Sequence, residues 1–150
     1  MPDVEAGREA IRRFRAAIAA GASVSLESTL TGNTVLARMR AARHAGYTVS
    51  LFYVALATSE DNIARVAARV ANGGHDIPEA VIRRRVAASQ DNLPAALAIA
   101  HFAKVHDNSN REIEKLLEVA HHRIVFEVPD PPEWLATRLA AIRAALAALA

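Results

Sequence analysis

The sequence predicts a single domain of the α/β class with an open sheet. Segments that favour strands alternate with helical segments, in the order strand, helix, strand, helix, strand, and this order calls for right-handed crossovers. The chain has 150 residues, of which 52% are hydrophobic and 23% are charged. This length supports one full core, and this composition is typical of a folded chain rather than a disordered one.

The N-terminal part is predicted to form a helix, a strand and a second helix. Residues 5–20 carry apolar side chains spaced three and four apart, which places them on one buried face of a helix. The segment SVSLES, residues 23–28, alternates briefly between polar and apolar side chains and favours a strand. A helix is then expected from about Asn33 to its stop at Gly46.

The strongest strand prediction concerns TVSLFYVAL, residues 48–56. A near-continuous apolar run with β-branched and aromatic residues is typical of a strand that is buried on both faces of a parallel sheet. The TSED motif follows, in which Thr58 and Asp61 form a capping box that opens the next helix. Pro78 suits the first turn of a further helix, which a weak break near residues 91–94 separates from AALAIAHFA.

The C-terminal part leaves one assignment open. The segment FAKVHD, residues 102–107, is a third strand-like run. Residues 111–127 fit either a short helix or a hairpin in which KLLEVA pairs with RIVFEV across His121 and His122. The final apolar run, from Trp134, is predicted to be a packed terminal helix, because arginines interrupt it and it is too short to span a bilayer comfortably.

The stretch ARVAARVANGGHDIPEAVIRRR, residues 64–85, carries arginines on both sides of a glycine hinge. Two sets of arginines that come together when such a flap closes can bind phosphate oxygens from both sides. The alternative is a solvated basic face, with the arginines paired to nearby acids. His75, within the hinge, is a candidate substrate contact or simply a turn residue. The arginines are Arg65 and Arg69 before the hinge and Arg83, Arg84 and Arg85 after it.

Polar residues follow each predicted strand. In an open α/β sheet, ligands bind beyond the carboxyl ends of the strands, so these residues are candidates for binding. For any one of them, a helix-capping or turn role is the simpler interpretation. Glu27 fits that role least, because an acid at the end of an apolar strand is costly unless a positive or hydroxylic group meets it. The candidates are Glu27, Ser28, Thr29, Thr31 and Asn33 after the first strand, residues 57–62 after the second, and Asp107, Asn108 and Ser109 after the third.

Charge and motif content argue against several classes of protein. The net charge is only +2, so there is no global basic field to favour nucleic acid as a partner. The absence of cysteine and of a signal-peptide pattern fits a cytoplasmic location. The histidine pairs lack metal-ligand spacing, and neither G-x-G-x-x-G nor G-x-x-x-x-G-K-[ST] occurs. A helix-turn-helix role for GGHDIPEAVIRRR has the basic helix but lacks the tight turn.

Three segments together resemble the zeta toxin-like family of P-loop kinases. They are EAGREAIRRFRAAIAAGASVSLESTLTG, AARHAGYTVSLFYVALATSEDNIARVAARVANGGHDIPEAVIRRR and NLPAALAIAHFAKVHDNS, which cover nearly the whole chain. The resemblance implies a partial P-loop kinase-like parallel sheet flanked by helices, followed by a C-terminal hairpin and a terminal helix. The final RIVFEVPDPPEWLATRLAAI also resembles a family tail in which a hairpin precedes the last helix, and this favours the hairpin over the helix at residues 111–127. Well-known members of this family phosphorylate a hydroxyl of UDP-N-acetylglucosamine with ATP and Mg²⁺.

The resemblance also implies roles for individual residues. Glu27 and Thr29 are expected at the sugar-substrate site, and Asn108 is expected near the nucleotide base. A lid that neutralises the transferred phosphate is expected to combine one arginine from each side of the hinge. These are Arg65 or Arg69 together with Arg84 or Arg85.

The sequence departs from the family in its nucleotide-binding part. Relatives begin with a strand and a glycine-rich phosphate loop, soon followed by the catalytic base, and these parts would lie upstream of Met1. Phosphoryl transfer depends on positioning and charge stabilisation, so this polypeptide alone is expected to be inactive. Loss of the central phosphate-loop strand leaves either two parallel strands that close the gap, or exposed apolar surface that a protein partner or a second copy would cover. The alternative function is a non-catalytic remnant that binds a ligand or partner, or half of a split enzyme.

Overall fold

The computed structural model describes residues 2–110 and 112–149. Within these ranges the chain forms six helices and four strands. In chain order they are α1 (Pro2–Ala19), α2 (Asn33–His44), β1 (Ser50–Ala55), α3 (Ser59–Ala71), α4 (Glu79–Ile99), β2 (Phe102–Asp107), β3 (Glu114–Ala120), β4 (Arg123–Glu127), α5 (Glu133–Ala136) and α6 (Leu139–Ala147).

The strands form one open sheet in the order β1-β2-β3-β4. β1 and β2 are parallel, with Ser50 opposite Phe102 and Ala55 opposite Asp107. β3 is antiparallel to β2, and β4 is antiparallel to β3. The α/β class is therefore confirmed, and the sheet is mixed: β1 and β2 form its parallel part, and the antiparallel strands β3 and β4 follow at the C-terminal end.

A two-residue turn explains why β3 and β4 are antiparallel. His121 and His122, which join β3 to β4, both have positive φ, 48° and 64°. Positive φ at both central residues defines the type I′ turn, whose twist matches that of a hairpin. Parallel strands would need a crossover of a dozen or more residues. The hairpin prediction is thus confirmed over residues 114–127, while Arg111 lies outside the described residues.

The core lies between one face of the sheet and the C-terminal half of α4 with α5 and α6. Leu93 and Leu97 of α4 are fully buried, and so is Ile142 of α6. They pack against strand residues that include Val105 and Leu117. Complete burial of one such side chain contributes about 1.5–3 kcal/mol. Helix α4 therefore supports both the sheet and the terminal helices.

Helix α4 runs without interruption through Pro94, so the predicted break near residues 91–94 is wrong. A proline inside a helix costs about 3 kcal/mol, in part because it has no N–H to donate to the carbonyl four residues earlier, that of Gln90. Burial of Leu93 and Leu97 contributes about 1.5–3 kcal/mol each and offsets that cost. Packing of the whole helix thus outweighs the local signal of the proline.

The predicted terminal helix is divided into α5 and α6. The N–H of Arg138 donates to the carbonyl of Leu135, three residues back, at 2.9 Å. The carbonyl of Trp134, which a continuous helix would use at this point, instead accepts Nη1 of Arg138 at 3.0 Å. A side chain has taken the place of a backbone donor, and the chain turns there.

Residues 23–28 are exposed and belong to no strand, so the predicted first strand is wrong. The apolar side chains of this segment, Val24 and Leu26, do not reach the core. Pairing of this segment into the sheet would therefore gain no stability from burial of its side chains. A brief alternation of polar and apolar residues does not form a strand without such burial. As a result β1 is an edge strand.

One face of the parallel pair is open to solvent. Phe52, Val54 and Phe102 are 63%, 43% and 44% exposed. The prediction that residues 48–56 are buried on both faces is therefore wrong, because the core packs only on the face that carries Tyr53 and Val105. β1 and β2 are paired directly.

Candidate functional site

A cavity of about 370 Å³ opens beyond the carboxyl end of β1, between α3 and the N-terminal half of α4. Ligands of open α/β sheets bind at such an edge. Apolar side chains form part of the wall, among them Ile82 and Val86. The polar residues that line it are Thr29, Thr31, Asn62, Arg65, Arg85, Ser89, Gln90 and Asn108.

The start of α3 is fixed by the predicted capping box, which is confirmed. Thr58 Oγ1 accepts a hydrogen bond from the N–H of Asp61 at 3.0 Å, and Asp61 Oδ2 accepts one from the N–H of Thr58 at 3.1 Å. Asn62 and Arg65 follow, three residues apart, so they share one face of the helix. That face lines the cavity.

The loop after β2 holds Arg65 in place. The N–H of Asn108 donates to the carbonyl of Ala55 at 2.8 Å, and Arg65 Nη2 donates to the carbonyl of Asn108 at 3.0 Å. Hydrogen bonds thus connect the end of β1 to the loop, and the loop to α3. A guanidinium has five N–H donors, so this bond leaves others for a ligand.

Asp107 and Ser109 support the loop rather than the cavity. Asp107 is buried, its Oδ1 accepts the N–H of Ser109 at 2.7 Å, and its Oδ2 accepts Nε1–H of Trp134 at 3.3 Å. Ser109 Oγ in turn accepts the N–H of Ala57. Both carboxylate oxygens have partners inside the protein, so this acid orders the turn.

The glycine hinge requires both of its glycines. Gly73 has a φ of 87°, which side-chain-bearing residues rarely adopt. At Gly74 an added Cβ would lie 2.7 Å from Cγ and 2.9 Å from the carbonyl oxygen of Arg69. That carbonyl accepts the N–H of Gly74 at 2.9 Å, and Arg69 Nη2 donates to the carbonyl of His75 at 3.3 Å. The hinge therefore closes tightly on the last turn of α3.

The arginines on the two sides of the hinge separate into different groups. Arg65 and Arg85 line the same cavity, from α3 and α4. Arg69 bonds to the hinge, and neither it nor Arg84 lines the cavity. Arg83 forms an exposed ion pair with Glu60, and this hydrogen bond lowers the pKa of the Glu60 carboxyl. His75 is exposed and also lies outside the cavity lining.

Glu27 lies beside the cavity rather than in it. It is exposed and lines a larger groove of about 830 Å³ between residues 24–30, α2 and β1. The expected cost of an acid at a strand end does not arise, because this acid is solvated and follows no strand. Thr29 lines both the groove and the cavity, and its Oγ1 lies 3.0 Å from Oγ1 of Thr31.

The buried Leu30 holds residues 28–31, here called the threonine segment, against α4. Leu30 has a φ of 56° and is buried, an uncommon combination for a residue with a side chain. Its N–H donates to Ser28 Oγ at 3.1 Å, and its carbonyl accepts Nδ2–H of Asn92 at 2.9 Å. Sequence reasoning overlooked Asn92, which anchors the segment from the middle of a helix.

The floor of the cavity is neutral and polar, and sequence reasoning missed it. The hydroxyl groups of Tyr53 and Ser89 are 3.1 Å apart. Burial raises the pKa of Tyr53, so its phenol stays protonated. Gln90 is buried beside them and also lines the cavity. The available signal was the SQ pair, since Gln90 lies three residues before the core residue Leu93 and thus on the same face of the helix.

The Mg²⁺ that the resemblance implies has no set of protein ligands in residues 2–110 and 112–149, where no three His, Asp or Glu side chains converge for a metal ion. Kinases often hold Mg²⁺ by one or two carboxylates and the phosphates of the nucleotide.

The fold and the cavity define an α/β protein with two arginines at the carboxyl edge of its sheet. No protein-family model and no solved structure matches the chain. It is similar to an uncharacterized protein of Haemophilus influenzae, with 41% identity over 85 residues, which are 57% of this chain and 61% of that relative. Among the described residues, no helix has the length and apolar character needed to cross a membrane.

Proposed function

We propose that this chain is a zeta toxin-like nucleotide-sugar kinase domain whose cavity binds a phosphorylated ligand. The observation that carries the proposal is the placement of Arg65 and Arg85. They come from helices on opposite sides of a glycine hinge, and both line one cavity beyond the carboxyl end of a parallel strand. Two guanidinium groups that approach from two helices suit a phosphate group, because each presents several N–H donors and a fixed charge.

The chemistry assigned to the site follows from its residues. The two guanidinium groups bind phosphate oxygens and offset the negative charge that spreads over a phosphoryl group as it is transferred. The hydroxyl of Thr29 orients the sugar, with Glu27 in the adjoining groove. Asn108, whose backbone already binds Arg65, presents its carboxamide toward the nucleotide base.

We do not expect this polypeptide to turn over ATP by itself. A kinase of this kind needs a loop of backbone amides for the β-phosphate, a lysine, and a hydroxyl for Mg²⁺. The 150-residue sequence contains no motif of this type. Ligand binding and catalysis are therefore separable here, and binding is the property to measure.

Calorimetry with UDP-N-acetylglucosamine tests the proposal. Arg65→Met and Arg85→Met should each weaken binding by about tenfold or more, because each removes charge-assisted hydrogen bonds. Arg84→Met should have little effect, and Arg40→Met, on the exposed side of α2, is the charge-matched control. No binding by the unmodified chain, or binding that neither cavity arginine affects, would refute the proposal.

A second candidate is one half of a two-chain kinase, which the exposed apolar face of β1 and β2 favours. The partner would carry the phosphate-binding loop and a helix to cover Phe52, Val54 and Phe102. Mixing this chain with the N-terminal segment of a zeta toxin relative should then produce a complex and Mg-ATP turnover. Phe52→Lys should block the complex and leave binding of UDP-N-acetylglucosamine intact. Absence of both complex and turnover would remove this candidate.

A further inference from the structure

Gln90 is a buried polar residue in the wall of the cavity. It is 7% exposed and lines the cavity, and its carboxamide makes no hydrogen bond to any described residue. A carboxamide carries two N–H donors and an acceptor oxygen. Those of Gln90 are not among the fully buried side-chain atoms that lack a partner in the described residues, so they reach the open space of the cavity and are free to bind a ligand.

The groups beside Gln90 are of the same neutral kind. The hydroxyls of Tyr53 and Ser89 share a single hydrogen bond, so one O–H hydrogen remains for a further acceptor. The walls near them include the apolar side chains of Ile82 and Val86. The two cationic residues of the lining, Arg65 and Arg85, are exposed and thus lie toward the mouth. The cavity is therefore charged at its mouth and neutral at its floor.

We propose that Gln90 is a specificity residue that binds a neutral group of the ligand, such as an amide or a pair of hydroxyls, while the arginines hold its anionic part. This inference rests on the proposed function and adds how the site selects among nucleotide ligands. A volume of about 370 Å³ is at the low end for ligand sites and accommodates one ring-sized unit. An amide presents both a donor and an acceptor, which matches the two sides of the carboxamide of Gln90.

The test compares UDP with UDP-N-acetylglucosamine, whose sugar supplies hydroxyls and an amide. The unmodified chain should bind the nucleotide sugar more tightly than UDP by about tenfold or more. Gln90→Met keeps the volume of the side chain and removes its hydrogen bonds, so it should bring the ratio of the two affinities near one and leave the affinity for UDP unchanged. Asn72→Met, at an exposed amide outside the cavity, should preserve the ratio.

A second measurement does not depend on a variant. In ¹H–¹⁵N spectra of the unmodified chain, the side-chain NH₂ signals of Gln90 should shift with UDP-N-acetylglucosamine and not with UDP. Equal affinity for the two ligands, or a ratio that Gln90→Met leaves unchanged, would overturn the role of Gln90 alone. Absence of binding by either ligand would overturn the proposed function and this inference together.

Discussion

Substituting alanine for Gly74 is expected to destabilise the hinge between α3 and α4, because a methyl group has no room there. The new Cβ would lie 2.7 Å from Cγ of Arg69 and 2.9 Å from its carbonyl oxygen. The Arg69 side chain can move away, since it is exposed. The carbonyl is held by its hydrogen bond from the N–H of Gly74 at 2.9 Å, so the backbone must shift.

The size of the effect follows from what that shift disrupts. Loss of the backbone hydrogen bond costs about 0.5–1.5 kcal/mol, and overpacking of this kind costs about 1–3 kcal/mol. Part of the strain is relieved when the hydrogen bond lengthens, so the two costs do not add in full. We expect the free energy of unfolding to fall by about 1–3 kcal/mol, or the Tm by roughly 2–4 °C for each kcal/mol.

Urea unfolding followed by circular dichroism measures this change, and Gly7→Ala is the matched control. Gly7 lies within α1, and nothing lies within 4 Å of an added Cβ there. Alanine favours a helix over glycine by about 0.5–1 kcal/mol, so the control should be slightly stabilising. A Gly74→Ala protein as stable as the unmodified chain would show that the hinge is not closed on Arg69.

Three further changes test other contacts. Asn92→Ala should reduce the free energy of unfolding by about 1–3 kcal/mol, because it leaves the carbonyl of Leu30 without its hydrogen-bond donor. Thermal unfolding measures this change. Pro94→Ala restores a helical N–H and should raise stability by up to about 3 kcal/mol; a less stable variant would contradict our account of α4. Burial, and then the charge of Arg43, lower the pKa of His122 below 6.5. The unfolded chain therefore binds the proton more readily, and stability should fall as the pH drops below about 6.5; urea unfolding at several pH values should show a smaller fall in His122→Asn.

Elements that depend on local signals were predictable from the sequence. The capping box of α3 needs only Thr58 and Asp61, and it forms as predicted. The strand at residues 102–107 also follows from nearby side chains, whereas the side chains of residues 111–127 fitted a helix as well as the hairpin that forms. The errors concern features that distant residues decide. Pro94 stays within α4 because the helix packs on the sheet, and residues 23–28 stay unpaired because their apolar side chains find no core.

Some of the residues named from the sequence border the cavity, and others do not. Sequence reasoning named Arg65 or Arg69 with Arg84 or Arg85, and the fold brings one member of each pair to the cavity lining. Arg65 and Arg69 are four apart and share a face only approximately, and the adjacent Arg84 and Arg85 point in different directions, so only the packing of the two helices decides which of them line the cavity. Gln90 was missed because it lies inside a helix rather than after a strand. Only the packing of α4 against β1 shows that it borders a cavity.

The open face of β1 and β2 makes the sheet unequal in its protection from water. β1 has an unpaired edge and exposes Phe52 on one side, whereas β2 and β3 lie inside the sheet and carry the most deeply buried residues. Backbone amides of β1 should therefore exchange their hydrogens with solvent through local opening, and those of β2 only when the whole domain unfolds. Native-state exchange would then show low protection in the edge strands β1 and β4 and high protection in β2 and β3 between them, with the candidate site at one of the two weakly protected edges.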